Sequence, residues 1–466
     1  MSEELPVLGQ GRPGPTPAVL PATTPLGARS VYLETYGCQM NLADTELLRR
    51  ILLGAGYALV DAPEDADVVL LNTCAVREHA ETRVIGRAAQ LHGLRRYRPG
   101  MTLGVLGCMA QRLAAELPRR APFVDLVVGP DAYRRLPELL EQTGEEAVLD
   151  VRHRRSEDYA GIEPARRQGC TGWVTIMRGC DRFCTFCVVP FVRGRERSLP
   201  VQEILDQVAR AADAGVREVT LLGQTVNSYR HDGTSFADLL RQVAGVPGIW
   251  RVRFTSPHPA DLNAETIEVL ASVPAVCPSL HLPVQSGSDA QLGLMHRGYT
   301  VAHYRGLVEQ LRSRVPDLAL TTDVVVGFCG ETDADYAQTV ALMEEVRFDG
   351  AFLFKYSPRE GTHAWRQLPD DVPAATKQER LARIIALQEQ ISEERNRAWT
   401  GRSVEVLIEA CSRASADAPA TAHGRTPQGK NAVVAGEQAI GTRVQVRVAR
   451  TTAHTLIGAG VDSRGT

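Results

Sequence analysis

Cys180, Cys184 and Cys187 stand at C-x3-C-x2-C spacing within the run Arg-Gly-Cys-Asp-Arg-Phe-Cys-Thr-Phe-Cys, residues 178–187. No other feature limits the chain as much: thiolates are ligands for zinc or iron-sulfur centres, and this spacing gathers three of them in one short segment. A strand-like run at 173–177 leads in and a helix-like run from 201 follows, so the thiols lie on the loop after a strand, at the start of a βα repeat. No fourth Cys or His nearby completes a tetrahedral zinc site, which leaves one coordination position open. On spacing alone, the alternative is a structural zinc site closed by a distant ligand.

With 466 residues the chain is too long for one ordinary core, and about three domains are expected. A hydrophobic content of 44% and a charged content of 23% are those of a soluble globular protein. The net charge of -3 provides no global field for nucleic acid, so any RNA partner must use local patches. Ten Cys without a secretory signal read as cytosolic thiols or metal ligands, and a cytoplasmic location is expected. No apolar run is long enough to span a membrane. Residues 1–28, rich in Pro and Gly, read as a disordered extension.

From residue 29 to 147 the pattern alternates strand and helix, with strand candidates at 31–37, 67–73, 102–107 and 124–129 and helices near 41–55, 76–91 and 110–117. Such a series predicts a parallel sheet with helices on its faces, an α/β domain. Cys38, Cys74 and Cys108 each follow one of the first three strands, and in an open parallel sheet those ends share one edge, where ligands bind. A second three-thiolate site follows, the alternative being three buried core thiols. Residues 148–165, polar and charged, read as a linker.

Between 166 and 398 the alternation restarts, with strands near Trp173, Val219, Val252, Leu280, Thr322 and Phe352. Intervening helices near 201–213, 261–272, 303–314, 333–346 and 374–398 make this an open or partial TIM-like barrel. The loops at its strand ends are small or polar: the Cys180 loop, then 223–227, 256–258, 283–288 and 327–332. The last stretch, 399–466, turns to period-two alternation around Val404, Val433 and Val444 and predicts a small antiparallel β barrel. Residues 401–466 hold eight Lys/Arg against five Asp/Glu, which suggests RNA docking, a solvated face being the alternative. As a docking module it should be removable without loss of either thiol site.

Three cysteines at this spacing, with Phe186 before the last, resemble the cluster loop of radical S-adenosylmethionine (SAM) enzymes. From residue 31 onward the chain resembles the methylthiotransferase family, through Thr-Tyr-Gly-Cys-Gln-Met-Asn (35–41), Asn-Thr-Cys-Ala-Val-Arg-Glu (72–78) and Gly-Cys-Met-Ala-Gln (107–111). Val-Val-Pro-Phe-Val-Arg-Gly-Arg-Glu-Arg-Ser (188–198) is similar to the MiaB-type branch, which converts N6-isopentenyladenosine at position 37 of tRNA to its 2-methylthio form. His-Leu-Pro-Val-Gln-Ser-Gly-Ser (281–288) and Tyr-Ser-Pro-Arg-Glu-Gly-Thr (356–362) also resemble family signatures, and the terminal β domain resembles a TRAM domain. Cys329 replaces the usual Pro of its loop, and a Ser/Ala/Pro-rich insertion occupies 412–421. Cys170, Cys277, Cys329 and Cys411 match no ligand position and read as incidental or buried thiols.

The resemblance implies two 4Fe-4S clusters, one on Cys180, Cys184 and Cys187 that binds and cleaves SAM, the other on Cys38, Cys74 and Cys108 that supplies sulfur. Phe186, Gln224, Asn227, Gln285 and Ser286 become candidate SAM contacts. Arg193, Arg195 and Arg197 become candidate phosphate contacts beside the reacting base, a solvated basic strip being the alternative. Implied partners are the anticodon loop of tRNA, a low-potential electron donor such as flavodoxin or ferredoxin, and a sulfur donor; no membrane is involved. Sister branches act on threonylcarbamoyladenosine in tRNA or on a ribosomal-protein aspartate, and a non-enzymatic iron-sulfur RNA-binding regulator is the rival class.

Overall fold

The computed structural model describes residues 28–75, 78–166, 169–414 and 419–461, so the N-terminal extension falls outside the described residues except for residue 28. The chain forms two compact units, 1–168 with 177–181 and 188–199, and 169–176 with 182–187 and 200–466.

The first unit is built on a six-stranded parallel sheet in the order β2-β1-β3-β4-β5-β6. Its strands are β1 (Ser30–Thr35), β2 (Ala58–Leu59), β3 (Val68–Thr73), β4 (Thr102–Gly107), β5 (Leu126–Val128) and β6 (Val148–Asp150). All six residues of β3 and of β4 are buried. A strand covered on both faces has no wet side, hence the unbroken apolar runs rather than alternation. One core lies around Val69, Leu71, Leu103 and Val105, and the other around Val68, Leu70 and Leu106. These residues alternate along β3, so the two cores occupy opposite faces. Helices α1 (Gln39–Gly54), α2 (Glu78–His92), α3 (Cys108–Arg112), α4 (Leu117–Arg120) and α5 (Leu136–Glu141) connect the strands.

Two edge strands were not anticipated, because β2 and β6 are too short to register as a pattern. β6 opens the segment expected as a linker, pairing with β5 through Leu126 and Val148. The charges that made 148–165 read as a linker bind it to the sheet instead. Asp150 accepts from Arg154 at 2.7 Å, and the buried Tyr159 donates to the Pro130 carbonyl at 2.6 Å.

The chain then enters the second unit through β7 (Thr171–Thr175) and returns to the first as a two-stranded ribbon, β8 (Met177–Arg178) with β9 (Arg197–Ser198), and α6 (Val189–Arg193). Helix α7 (Val201–Asp213) leads to β10 (Glu218–Leu222), a hairpin of β11 (Arg230–His231) and β12 (Thr234–Ser235), α8 (Phe236–Ala244) and β13 (Arg251–Phe254). After α9 (Ala264–Ser272) come β14 (Ser279–His281), α10 (Asp289–Leu294), α11 (Val301–Arg314), β15 (Ala319–Val326), α12 (Asp333–Val346), β16 (Gly350–Lys355), α13 (His363–Gln367) and α14 (Ala374–Arg397). Six strands pair in parallel as β7-β10-β13 and β14-β15-β16, and a bridge from Val252 to Val276, just before β14, links the two sets. Among the described residues β7 and β16 do not pair, so the expected barrel is open.

The terminal domain is a closed barrel, β17-β18-β19-β21-β20, formed by β17 (Ser403–Ser412), β18 (Thr421–Arg425), β19 (Asn431–Ala435), β20 (Arg443–Thr451) and β21 (Thr455–Gly460). One pair, β19 with β21, is parallel. Five strands cannot alternate direction all the way round a closed ring, so one such pair is obligatory. The insertion at 412–421 separates β17 from β18 without breaking their pairing, and its residues 415–418 fall outside the described ones.

The basic residues of this domain differ from the freely removable module that their count suggested. They dock it onto the N-terminal ends of the central strands, opposite the loops of interest. Arg425 approaches the buried Glu218, whose carboxylate also takes Arg253 Nε at 2.9 Å, and Lys430 Nζ lies 2.8 Å from Asp349. In return Arg251 reaches Glu405 at 2.9 Å, and Arg253 donates to the Thr426 and Pro427 carbonyls. Deleting 401–466 would take Arg425 from Glu218 and Lys430 from Asp349, leaving Arg253 and Arg395 as their partners. Arg447 and Arg450 on β20 remain exposed. Of the incidental thiols, Cys170, Cys277 and Cys329 are buried and Cys411 is exposed.

Candidate iron-sulfur and nucleoside site

In the first unit the sheet carries Cys38, Cys74 and Cys108 to one edge. β1, β3 and β4 are neighbours, with Thr35 beside Asn72 and Thr73 beside Gly107. Cys38 ends the turn after β1 as the N-cap of α1, Cys74 follows β3, and Cys108 opens α3. The approach is close: Gly37 has φ +117°, and a Cβ there would overlap the Cys74 Cβ. A hydrogen bond from Cys74 and the positive charge of Arg193 bring the Cys38 thiol down to about 6 against its burial. Burial pushes the Cys108 thiol up to about 11, with Arg193 opposing.

The arginines after the cluster loop are not a solvated strip. Arg193 is buried, its Nη2 bonded to Asp44 Oδ2 at 2.8 Å and Asn41 Oδ1 at 3.1 Å. Asp44 is also buried and faces Arg178 Nη1 at 2.8 Å, and the Arg178 guanidinium stacks 4.7 Å from the Tyr159 ring centre. Burial would raise the Asp44 carboxyl, but Arg193 and Arg178 hold it below its usual range. Arg197 forks onto Asp131 at 2.9 and 3.0 Å. Arg195 is exposed but forks onto Asp181 at 2.6 and 3.0 Å. Arg193 therefore cannot meet an RNA phosphate, and Arg197 is largely spent on Asp131.

Cys180 belongs to the first unit, its amide donating to the Gly194 carbonyl at 3.2 Å, whereas Cys184 and Cys187 belong to the second. There the Cys187 amide donates to the Cys184 carbonyl at 3.0 Å. Thr185 fastens the turn, its amide to the Met295 carbonyl and its hydroxyl to the Leu294 carbonyl. Arg297 Nη1 donates to Cys184 Sγ at 3.3 Å, while its other nitrogens reach Tyr299 Oη and the Pro283 carbonyl, each at 3.2 Å. Phe186 meets the edge of Phe328 at 6.2 Å.

The barrel-mouth candidates divide. Asn227 is buried and bonded through both amide atoms to the His258 backbone, so it ties two loops together. Gln285, at φ +70°, exchanges backbone bonds with Asp323 and Val325, and the buried Ser286 hydroxyl lies 3.3 Å from Thr339 Oγ1. Their documented bonds shape the loops. Gln224 Oε1 and His258 Nε2 are buried with no hydrogen-bond partner. Burial, with Arg297 and Arg182 nearby, drops His258 to about 2, which keeps it neutral. His258 Nδ1 accepts from the Ala260 amide at 3.2 Å, so the neutral ring carries its proton on Nε2; an orphaned acceptor and an orphaned donor at the mouth fit a ligand bearing both an ammonium and a carboxylate, as SAM does. His258 lies in the strand-end loop 256–258 singled out from sequence, whereas Arg297 and Tyr299 escaped that reading; their only signal was a charged residue inside Met-His-Arg-Gly-Tyr (295–299), which spacing does not show to be buried.

The Cys38, Cys74 and Cys108 set, within one unit, also fits a cluster. Among the described residues no three Cys, His, Asp or Glu gather around one metal ion, and a cubane does not require it, since each thiolate binds a separate iron.

Three family models match successive segments: uncharacterized protein family UPF0004 over residues 30–129, the radical SAM superfamily over 174–343 and the TRAM domain over 397–460. A tRNA-2-methylthio-N(6)-dimethylallyladenosine synthase from Chloroherpeton thalassium is 47% identical, covering 92% of this chain and 95% of its own length. The enzyme of the same name from Bacteroides thetaiotaomicron is 45% identical over 92% and 96%. Among solved structures, the radical SAM methyltransferase TsrM from Kitasatospora setae superposes with a TM-score of 0.53 at 15% identity, covering 70% of this chain and 75% of that one, a likeness of fold. Identity at this level across almost the whole length, through all three segments, places the chain in the family of radical SAM tRNA-2-methylthio-N(6)-dimethylallyladenosine synthases.

Proposed function

We propose that this chain methylthiolates C2 of N6-isopentenyladenosine at position 37 of tRNA, using SAM and two 4Fe-4S clusters, one on each thiol triad. The observation that carries the reading is the presence of two separate three-cysteine sets in a chain aligned over 92% of its length with a relative named for that reaction. When bound, the clusters and SAM would supply a carbon-centred radical at one triad and transferable sulfur at the other.

The chain's own residues position and insulate. Thr185 and Arg297 hold the Cys184 turn, Phe186 and Phe328 give it an apolar wall, and Gln224 Oε1 offers an acceptor and the neutral His258 Nε2–H a donor to a bound SAM. Arg195, Arg447 and Arg450 are among the exposed arginines open to phosphate contact. An anticodon-loop base is single-stranded and can be splayed out at low cost. A flavodoxin- or ferredoxin-like electron donor, a sulfur donor and a cytoplasmic setting complete the reading; among the described residues no helix is long and apolar enough to cross a membrane.

The test is anaerobic incubation of the reconstituted protein with reductant, SAM and tRNA carrying isopentenyladenosine, followed by nucleoside mass spectrometry. The expected product is the 2-methylthio nucleoside. SAM cleavage without it, or product only from threonylcarbamoyladenosine tRNA or ribosomal protein, would refute the assignment.

A further inference from the structure

Arg193, Arg178 and Asp44 form a buried group in the first unit, with side chains 5%, 5% and 0% exposed. Two cations against one carboxylate leave one positive charge in excess, and buried charge is retained only where it is compensated. The geometry shows where compensation is needed. Arg193 Nη2 is taken by Asp44 and Asn41, whereas Nη1 is buried with no hydrogen-bond partner. Asn41 Oδ1 is shared between Arg193 Nη2 at 3.1 Å and Cys38 Sγ at 3.7 Å. Cys108 packs against Val188 and Val192, the residue before Arg193. The guanidinium thus stands beside two of the three thiols.

Resting on the two-cluster reading, we propose that Arg193, oriented by Asp44 and Asn41, is the internal counter-charge of the cluster on Cys38, Cys74 and Cys108, and that it sets the reduction potential of that cluster and its affinity for an anionic sulfur ligand. Three thiolates on a 4Fe-4S core of charge 2+ carry one net negative charge, which balances the excess of the arginine pair. Reduction adds a second negative charge, so the cation favours the reduced form and raises the potential, while Asp44 opposes it. Arg193 is a positioning residue: it acts through the cluster and its ligands.

The sign of the effect separates this role from a structural one. In the full-length chain with Cys180, Cys184 and Cys187 replaced by Ala, only this centre would report. After anaerobic reconstitution, Arg193→Met should shift the midpoint of an EPR-monitored titration negative by at least tenfold in the reduction equilibrium, about 59 mV for one electron. Asp44→Asn, which keeps the cation, should shift it positive, and Arg193→Lys should recover part of the loss. Unchanged midpoints, or shifts of the same sign in Arg193→Met and Asp44→Asn, would overturn the proposal. If Arg193→Met holds no iron, the Asp44→Asn sign decides. Absence of iron from the triple-Ala parent would overturn the two-cluster reading and the proposal with it.

Discussion

Cys38, Cys74 and Cys108 come from the ends of three neighbouring strands, 36 and 34 residues apart, whereas Cys180, Cys184 and Cys187 share one eight-residue loop. In the first set the thiol spacing is fixed by strand register, so the entropy of assembling the ligands is met when the sheet folds. In the second it depends on local turns, including Gly179 at φ +78° and Phe183 at φ +49°. A strand-end site is therefore as robust as its sheet, and a loop site only as robust as the groups that fasten the loop.

The largest effect expected from this comparison is on iron content. Replacing Cys180, Cys184 and Cys187 by Ala should leave about half the wild-type iron, since each cluster has its own thiolates. Cys38→Ala should keep SAM cleavage measurable but abolish sulfur insertion. Iron and acid-labile sulfide assays with 5′-deoxyadenosine and nucleoside quantification check both. A single cluster's iron in the wild type, or wild-type methylthio product from Cys38→Ala, would break the division of labour.

The loop triad could be proposed from spacing, because its three cysteines lie within eight residues. The placement of Cys38, Cys74 and Cys108 at one sheet edge was legible only through periodicity: apolar runs marked the strands, and parallel order then brought the three together. The same local reading misplaced Arg193. Its neighbours, Gly194 and Arg195, suggested an accessible basic strip that could meet RNA phosphate, yet its partner Asp44 lies 149 residues away. Arg297 and the charges docking the terminal barrel were hidden for the same reason. A buried charge is defined by its distant partner, and one sequence carries no record of which distant residues meet. The closed terminal barrel was readable from alternation, but its parallel pair came from strand count and ring closure.

A smaller and more selective effect should follow from one methyl group at each site. Gly37 and Gly179 both have positive φ, and a Cβ at Gly179 would overlap the Arg195 carbonyl as one at Gly37 would overlap Cys74. Each alanine forces a side chain into the left-handed region, a strain of about 1–3 kcal/mol before any steric shift. Gly37→Ala should deplete iron at the strand-end site while the SAM-perturbed EPR signal of the loop site persists, and Gly179→Ala should do the reverse. Equal loss from both sites in either variant would show that the two are not independently built.

The smallest effect concerns the arginine at the loop site. Arg297 resembles Arg193 in being buried beside a cysteine of a proposed triad, but among the described residues no carboxylate pairs with it. Its bonds go to a thiol, a phenol and a carbonyl, so its charge is compensated chiefly by the Cys184 thiolate and whatever that thiolate binds. A hydrogen bond to a ligand sulfur raises a cluster's potential by favouring the reduced state. Arg297→Met should therefore shift the loop cluster negative and slow SAM cleavage at fixed reductant, with Arg297→Lys partly restoring both. Because Arg297 also helps hold His258 near 2, removing it should move that imidazole upward. Wild-type cleavage should then show no inflection from His258 between pH 5 and 8, since the ring stays neutral throughout. Redox titration and a pH profile of 5′-deoxyadenosine formation test the pair of expectations. A midpoint insensitive to Arg297→Met would mean that the 3.3 Å contact fixes the loop without tuning the cluster, which would confine charge tuning to the strand-end site.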